Sequence, residues 1–225
     1  MHKKTGAAMS KFAKHGQKYI LEDGTIAPSV TTYINDLGWN KQTLINWAKR
    51  LTFSGLDADK VLQDAAETGT LLHLMIEGSI KGFDVDTKDF TYNQEKQALK
   101  AFVGYTDWVK KVDFKPLASE VILINEEQRV GGTVDCIGRI GDDLVVCDWK
   151  SSRYGPYKEH IIQIAQYVHM YEKAQPKANV AYGMILRFGK EDGKFHQHKI
   201  KREKINAGVE VFKHLVALRN LKPMV

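Results

Sequence analysis

Charged residues stand in one of the most apolar stretches of the chain, VGGTVDCIGRIGDDLVVCDWKSS, residues 130–152. The stretch is typical of two β-strands, residues 130–140 and 144–150, joined by a short Gly/Asp turn. Asp148 and Lys150 lie two residues apart, so their side chains leave the same face of the second strand. Charges inside a buried sheet are costly unless they are paired or hold a metal ion. The spacing therefore predicts a paired or metal-binding cluster on one face of a hairpin.

Whether Asp135 joins this cluster depends on the length of the turn. A two-residue Gly141-Asp142 turn places Asp135 opposite Asp148, and an Asp142-Asp143 turn places it opposite Lys150. Either turn puts both carboxylates and the ammonium on one face, whereas a turn of odd length would put Asp135 on the other face. We therefore expect an even turn or a compensating bulge.

These residue types suit hydrolysis of a phosphate ester with the help of a divalent cation. Mg²⁺ prefers oxygen ligands, which Asp135, Asp148 and the backbone carbonyl of Trp149 could supply. Lys150 would orient or deprotonate the attacking water and offset the charge that develops on phosphorus. An ordinary structural ion-pair cluster remains the alternative from these residues alone.

Other residues along the chain could complete such a site. Glu120 begins an apolar strand, where it is either a third carboxylate or an exposed strand end. His73 lies in the helical segment GTLLHLMIE, and Gly69, one turn earlier, indicates a close approach because glycine is unfavourable in a helix. Gln163 and Tyr167 fall four residues apart, one above the other on a helix.

The hydrophobic periodicity predicts a mixed α/β fold. We expect a central mixed β-sheet flanked by helices, with a helical N-terminal lobe. The predicted domains are a flexible basic arm (1–18) and a single domain (19–225), divided into a mainly helical lobe (19–115) and a mixed α/β catalytic core (116–225). Helices are predicted over residues 29–38, 41–51, 57–80, 93–112, 157–174 and 203–221, and further strands over 117–125, 179–188 and 194–201.

The net charge of +6 over 225 residues favours a polyanionic partner. Residues 1–18 contain five lysines and no acidic residue, as in a solubilising arm, a phosphate-contacting arm or an organellar transit peptide. No apolar run reaches the ~18 residues of a membrane span, so no membrane partner is expected. The expected location is the cytoplasm of a bacterium or of a phage-infected cell, with the mitochondrial matrix as the alternative.

Several other residues favour structural interpretations. Cys136 and Cys147 are too few for a cysteine-ligated cluster and are expected as small buried residues. The segment His196-Gln197-His198 lacks a nearby third metal ligand. Gly189–Phe195 does not have P-loop spacing, so no nucleotide cofactor is expected. Three tryptophans could stack on bases, although helix packing is the favoured interpretation: Trp39, Trp47 and Trp108.

Five motifs in this order resemble the PD-(D/E)xK nuclease superfamily, and most of all its RecB-like branch. They are G-x-x-x-H (69–73), Glu120 on a strand, G-G-T-V-D (131–135), D-W-K-S-S (148–152) and Q-x-x-x-Y (163–167). Within that branch they are most similar to the mitochondrial genome maintenance exonucleases and related phage and bacterial exonucleases, whose P-S-V-T-T segment matches residues 28–32. The resemblance implies a restriction-endonuclease-like core and a nuclease activity.

The resemblance also assigns roles to residues. The implied metal ligands, for Mg²⁺ or Mn²⁺, are His73, Asp135, Asp148 and the Trp149 carbonyl. Lys150 would be the catalytic lysine, and Glu120 would aid metal binding or water positioning. The implied DNA-binding residues are Ser29, Thr31, Ser151, Ser152, Gln163 and Tyr167. The four cysteines that hold an iron–sulfur cluster in some relatives are absent, so no cluster is expected.

The expected function is a metal-dependent deoxyribonuclease, an exonuclease acting on single-stranded DNA ends in repair or recombination. Because this chain has no P-loop, it is expected to be a stand-alone nuclease or one that works with a separate helicase or recombination protein. The alternatives are a structure-specific endonuclease of the junction-resolvase kind and a non-catalytic DNA-binding module on the same fold.

Overall fold

Four helices precede a five-stranded sheet in this computed structural model, which describes residues 18–151, 155–189 and 193–225. The predicted basic arm, apart from Lys18, and Ser152 lie outside the described residues. No helix within the described ranges is long and apolar enough to cross a membrane. The elements are β1 Tyr19–Ile20, β2 Ile26–Ala27, α1 Val30–Asn35, α2 Lys41–Phe53, α3 Ala58–Lys81, α4 Tyr92–Val112, β3 Phe114–Asn125, β4 Val130–Ile140, β5 Asp143–Lys150, α5 Lys158–Ala174, β6 Val180–Phe188, β7 Phe195–Ile200 and α6 Arg202–Leu221.

The large sheet has the strand order β3-β4-β5-β6-β7. Only the β5–β6 pair is parallel, and helix α5 makes the crossover that a parallel pair needs. The mixed α/β fold with a central sheet is therefore confirmed. The strand predicted over residues 117–125, β3, begins earlier, at Phe114, and contains Pro116. The sheet accommodates this proline because β3 is an edge strand and its register shifts directly after that residue.

The central hairpin has the even turn that the charge pattern required. Residues of β4 and β5 pair from Ile140 with Asp143 to Cys136 with Cys147. The turn is therefore Gly141-Asp142, and Gly141 has the positive φ of 57° that such short hairpin turns favour. This register confirms that the two cysteines are cross-strand neighbours, and both are free and buried.

The sheet has a hydrophobic core on each face. One core joins α1, α5 and α6 to side chains that include Val134, Val146 and Ile185. The other joins α3 and α4 to side chains that include Cys147 and Trp149. Trp108 of α4 packs edge-on against Trp149 with 6.1 Å between ring centroids. Truncating either buried indole to alanine is expected to cost about 3–5 kcal/mol.

Capping residues set the ends of the long helices of the first half. Asp57 begins α3 by accepting hydrogen bonds from two backbone N–H groups, and Gly82 ends it in the left-handed conformation. Thr91 and Gln94 form a capping box at the start of α4. The Gln94 amide also donates to Asp64 and Glu67 of α3. These bonds lock the two helices together and so fix the helix that carries His73.

Candidate active site

The candidate site lies where β4 and β5 separate, beyond the Cys136–Cys147 pair. The Trp149 N–H donates to Asp135 Oδ2 over 2.6 Å. His73, from α3, places Nδ1 3.4 Å from Asp135 Oδ1. Its Nε2 lies 3.1 Å from the Trp149 carbonyl oxygen, so Nε2 must carry a proton, because a carbonyl can only accept. Asp135, His73 and the Trp149 carbonyl therefore meet at one point.

Glu120 has a left-handed backbone, with φ of 53°, in the middle of strand β3. Its neighbours Ser119 and Val121 pair with Cys136 and Val134 of β4. These two partners belong to the cores on opposite faces of the sheet, although strict alternation would put residues two apart on one face. In both strands the alternation of side chains between the two faces is therefore interrupted, at Glu120 in β3 and at Asp135 in β4. The register places these two residues opposite each other. Such a conformation costs about 1–3 kcal/mol in a non-glycine residue and is typical of functional sites.

The face exchange explains how residues from both sides of the sheet meet. One ligand atom each from His73, Glu120 and Asp135 lies within 4.8 Å of the other two. A nitrogen and two carboxylate oxygens at this spacing need only small movements to surround one ion at about 2.0–2.2 Å. The donor set fits a divalent cation, and its imidazole suits Mn²⁺ better than Mg²⁺, which strongly prefers oxygen.

Asp148 and Lys150 form an ion pair beside this group. Lys150 Nζ lies 2.7 Å from Asp148 Oδ2 and donates to Oδ1 over 2.9 Å. Asp148 is only 1% exposed, and its Oδ2 receives no hydrogen bond of good geometry. A buried carboxylate oxygen with an unfilled lone pair is suited to a cation. Sequence reasoning made Asp148 a metal ligand, whereas in this structure its direct partner is Lys150.

Two side chains of α5 extend the hydrogen-bonded group that begins at Lys150. Lys150 Nζ donates to Gln163 Oε1 over 3.1 Å, and Gln163 Nε2 donates to the Tyr167 hydroxyl over 3.1 Å. The Tyr167 ring lies against Gly132, where a β-carbon would approach it to 2.6 Å. Gly132 is therefore needed for Tyr167 to hold Gln163 in place. In the structure, Gln163 and Tyr167 position Lys150.

The two aspartates have opposite pKa shifts. Burial alone would raise the pKa of Asp135, but the charge and hydrogen bond of His73, with the charge of Lys150 and the Trp149 N–H, hold it below its ordinary value. Burial raises the pKa of Asp148, against the opposing charge of Lys150, and the negative charge of Asp135 adds to the rise. Asp135 is therefore ionised at neutral pH, whereas Asp148 takes up a proton more readily than an ordinary aspartate.

Gly69 provides the close approach that its place in a helix indicated. A β-carbon there would lie 2.8 Å from the Ser151 hydroxyl, directly after Lys150 in the chain. Helix α3 can approach the end of β5 this closely only without a side chain at position 69. The glycine therefore sets the distance between His73, one turn later, and the lysine.

The two predicted DNA contacts near residue 30 lie in different surroundings. Ser29 caps α1, and its hydroxyl accepts from the Thr32 N–H. Thr31 is exposed and lines a groove of about 490 Å³ that also includes Lys150 and Gln163. Thr31 is therefore exposed to the groove, and its hydroxyl shares a 2.8 Å hydrogen bond with the Ser29 hydroxyl, which is engaged in the cap.

The groove also contains residues that sequence reasoning missed. Trp39 is 52% exposed and lines it, so the packing interpretation is wrong for this tryptophan. That interpretation holds for Trp108, which is buried. His160 of α5 lines the groove beside Lys150, and no pattern in the sequence singled it out. In the described part of the chain, no group of possible metal ligands includes His196.

Comparisons with known proteins agree with this geometry. The sequence profile of the PD-(D/E)XK nuclease superfamily matches residues 57–220, and no curated protein matches. The chain is similar in structure to a candidate exonuclease from Eubacterium rectale, with 15% identity and a TM-score of 0.50 over 70% of this chain and 68% of that chain. It also matches an alkaline exonuclease from Laribacter hongkongensis, with 9% identity and a TM-score of 0.36 over 70% of this chain and 85% of that chain. The first likeness supports the fold alone, and the second is too weak to support an inference.

The family match has the greater weight because it covers well over half of the 225 residues. The matched range contains His73, Glu120, Asp135 and the Asp148–Lys150 pair, the residues that the fold brings together. The family that the motifs predicted is thereby confirmed: this chain belongs to the PD-(D/E)XK nuclease superfamily.

Proposed function

We propose that this nuclease is a metal-dependent deoxyribonuclease of the RecB-like branch that degrades single-stranded DNA from an end. The observation that supports this proposal best is the group formed by His73, Glu120 and Asp135, within 4.8 Å of one another. It lies beside a buried Asp148–Lys150 ion pair. A cation site next to a fixed ammonium is the combination that phosphodiester hydrolysis needs.

A divalent ion, Mg²⁺ or Mn²⁺, would be held by His73, Glu120 and Asp135, with Asp148 and the Trp149 carbonyl as further ligands. The ion would polarise the scissile phosphate and acidify the attacking water. Asp148 is now paired with Lys150, and the Trp149 carbonyl accepts from His73. Asp148 could bind the ion through Oδ2 while its Oδ1 still accepts from Lys150, and the Trp149 carbonyl would exchange the bond from His73 for the ion.

Lys150 acts on the reacting atoms in this proposal. Its ammonium is held by Asp148 and Gln163, which leaves one of its three protons for water or phosphate. There it orients the attacking water and offsets the negative charge that grows on the phosphate in the transition state. Gln163 and Tyr167 keep the lysine in this place and are positioning residues.

Single-stranded DNA is proposed as the substrate because the groove beside Lys150 extends to α1 and α2 and is lined by groups that suit one strand. Its lining includes Thr31, Asn40 and Lys41, which can donate hydrogen bonds to a phosphate backbone. Residues 189–195 do not have P-loop spacing, so we propose that this chain acts alone on single strands or with a separate helicase or recombination protein that unwinds a duplex.

The test is digestion of linear single strands labelled at the 5′ or the 3′ end, with Mg²⁺ or Mn²⁺, beside a circular single strand. We expect stepwise release of nucleotides from the linear strands and an intact circle. Cleavage of the circle would show an endonuclease, and binding without shortening of either linear strand would show a non-catalytic module. Activity that persists in EDTA would exclude metal dependence.

A further inference from the structure

Trp39 is the most exposed aromatic residue along the groove that leads away from Lys150. The groove is lined by α1, α2 and the start of α5, and Lys150 and Trp39 both line it. Trp39 is 52% exposed, although a tryptophan has much to gain from burial. Leu44, which also lines the groove, is equally exposed, and neighbouring apolar side chains kept half in solvent are typical of a binding surface.

The surroundings of Trp39 carry positive charge. Lys158 Nζ lies 5.9 Å from the centroid of the ring, within the range of a cation–π contact. Lys41 lines the same groove, and Glu159 is the acidic residue in its lining. The Glu159 carboxylate accepts a hydrogen bond from the Asn40 amide over 2.7 Å, and the ammonium groups of Lys41, Lys150 and Lys158 outnumber this one negative charge. An aromatic ring flanked by ammonium groups matches the alternation of base and phosphate in a nucleic-acid strand.

The polypeptide around Trp39 is fixed rather than free to collapse onto the protein. Gly38, directly before it, has a left-handed backbone with φ of 61°. Asn40, directly after it, is at the N-cap position of α2, but its side chain makes no capping bond and donates to Glu159 of α5 instead. The cross-link therefore ties the α1–α2 turn to α5 on either side of the groove. This bond keeps the indole ring in the groove, although it leaves α2 without a side-chain cap.

We propose that Trp39 stacks on an unpaired base of the DNA strand whose scissile phosphate lies at Lys150. This inference rests on the proposed function and adds to it the group that recognises single-stranded DNA. In a duplex both faces of each base are covered by neighbouring base pairs, so the indole can stack only on an unpaired base. Stacking does not depend on base identity, because every base has a π-face.

The test measures binding of a fluorescent oligothymidylate, and of an abasic strand of the same length, by anisotropy in EDTA, where metal-dependent hydrolysis is stopped. Trp39→Ala is expected to weaken oligothymidylate binding about 5- to 100-fold and to leave binding of the abasic strand unchanged. Trp39→Phe should restore most of the loss. Phe53→Ala is the matched control, because Phe53 is 90% exposed at the end of α2 and does not line the groove.

Each outcome decides between base stacking and other roles of Trp39. Equal losses on the two strands would mean that Trp39 acts through the backbone, and no loss on either strand would mean that it takes no part; both overturn the inference. Hydrolysis of oligothymidylate by the wild-type protein with Mg²⁺ is a separate readout. Its absence would overturn the proposed function, while a base-dependent effect of Trp39→Ala on binding would still support the stacking site.

Discussion

Replacing Glu120 by glycine is expected to make the metal-free protein more stable and to abolish its stabilisation by metal. Glu120 has a φ of 53°, which only glycine adopts without steric cost. Its carboxylate also lies within 4.8 Å of a ligand atom of Asp135, a group of the same charge. The backbone strain is unfavourable with or without a cation. His73, whose ligand atom is equally close, offsets part of the repulsion between the two carboxylates, and a cation between them removes the rest.

The magnitude follows from the backbone. Relief of the left-handed conformation contributes about 1–2 kcal/mol, and the greater entropy that glycine gives the unfolded chain costs about 0.5–1 kcal/mol. The backbone gain is thus roughly 0–1.5 kcal/mol, a rise in Tm of up to about 6 °C for a chain of this size. In the wild-type protein, an ion at a concentration 100-fold above its Kd adds about 2.7 kcal/mol. The order of stability should therefore reverse between the two conditions.

Thermal unfolding with EDTA and with Mn²⁺ measures both effects. Asp113→Gly is the control for the backbone, since Asp113 has a φ of 50° but is not one of the clustered ligands; it should raise Tm equally with and without Mn²⁺. Glu120→Gln keeps the strained backbone and should lose most of the Mn²⁺ shift. The reasoning is refuted if metal-free Glu120→Gly is less stable than wild type, or if it keeps the full Mn²⁺ shift.

Three further predictions concern the surroundings of the site. Gly69→Ala should displace the Ser151 hydroxyl, which a β-carbon would approach to 2.8 Å, and lower kcat without lowering Tm; the double variant with Ser151→Ala should have the kcat of Ser151→Ala alone. Burial raises the pKa of Asp148 to about 6 in the metal-free protein, and a proton there competes with the ion, so the rise in Tm that a fixed Mn²⁺ concentration produces should shrink as pH is lowered through about 6; a rise in Tm that stays constant across this range would contradict this. Burial raises the pKa of Cys136 and Cys147, so neither thiol should react with a disulfide reagent at pH 8 until denaturant is added, and rapid labelling of the native protein would show that they are accessible.

The sequence predicted those parts of the site that depend on local spacing. The hairpin and a turn of even length follow from the charge pattern, which left Gly141-Asp142 and Asp142-Asp143 as alternatives; the structure has the Gly141-Asp142 turn, and its register pairs the cysteines. The interval between Gly69 and His73 depends only on the helical period, as does the interval between Gln163 and Tyr167. The elements of the mixed α/β fold were predicted for the same reason, with ends displaced by a few residues.

The parts that were not predicted depend on contacts between distant segments. Nothing in the sequence near Glu120 shows that β3 and β4 exchange faces there, because the left-handed backbone is maintained by the surrounding sheet. The pairing of Asp148 with Lys150 depends on which groups enter the buried space around them. Trp39 was interpreted as a packing residue because hydrophobic periodicity does not show which residues of a short turn remain exposed after the other elements pack.

The central claim is that the group around Asp135 and Lys150 hydrolyses DNA with a bound metal ion. The most direct measurement compares Mg²⁺-dependent shortening of labelled single-stranded DNA by Asp135→Ala, Lys150→Ala and the exposed control Lys110→Ala. We predict that the first two variants bind DNA in EDTA but shorten none of it with Mg²⁺, whereas Lys110→Ala acts like the wild type. Undiminished degradation by either Asp135→Ala or Lys150→Ala would contradict the assignment of the active site.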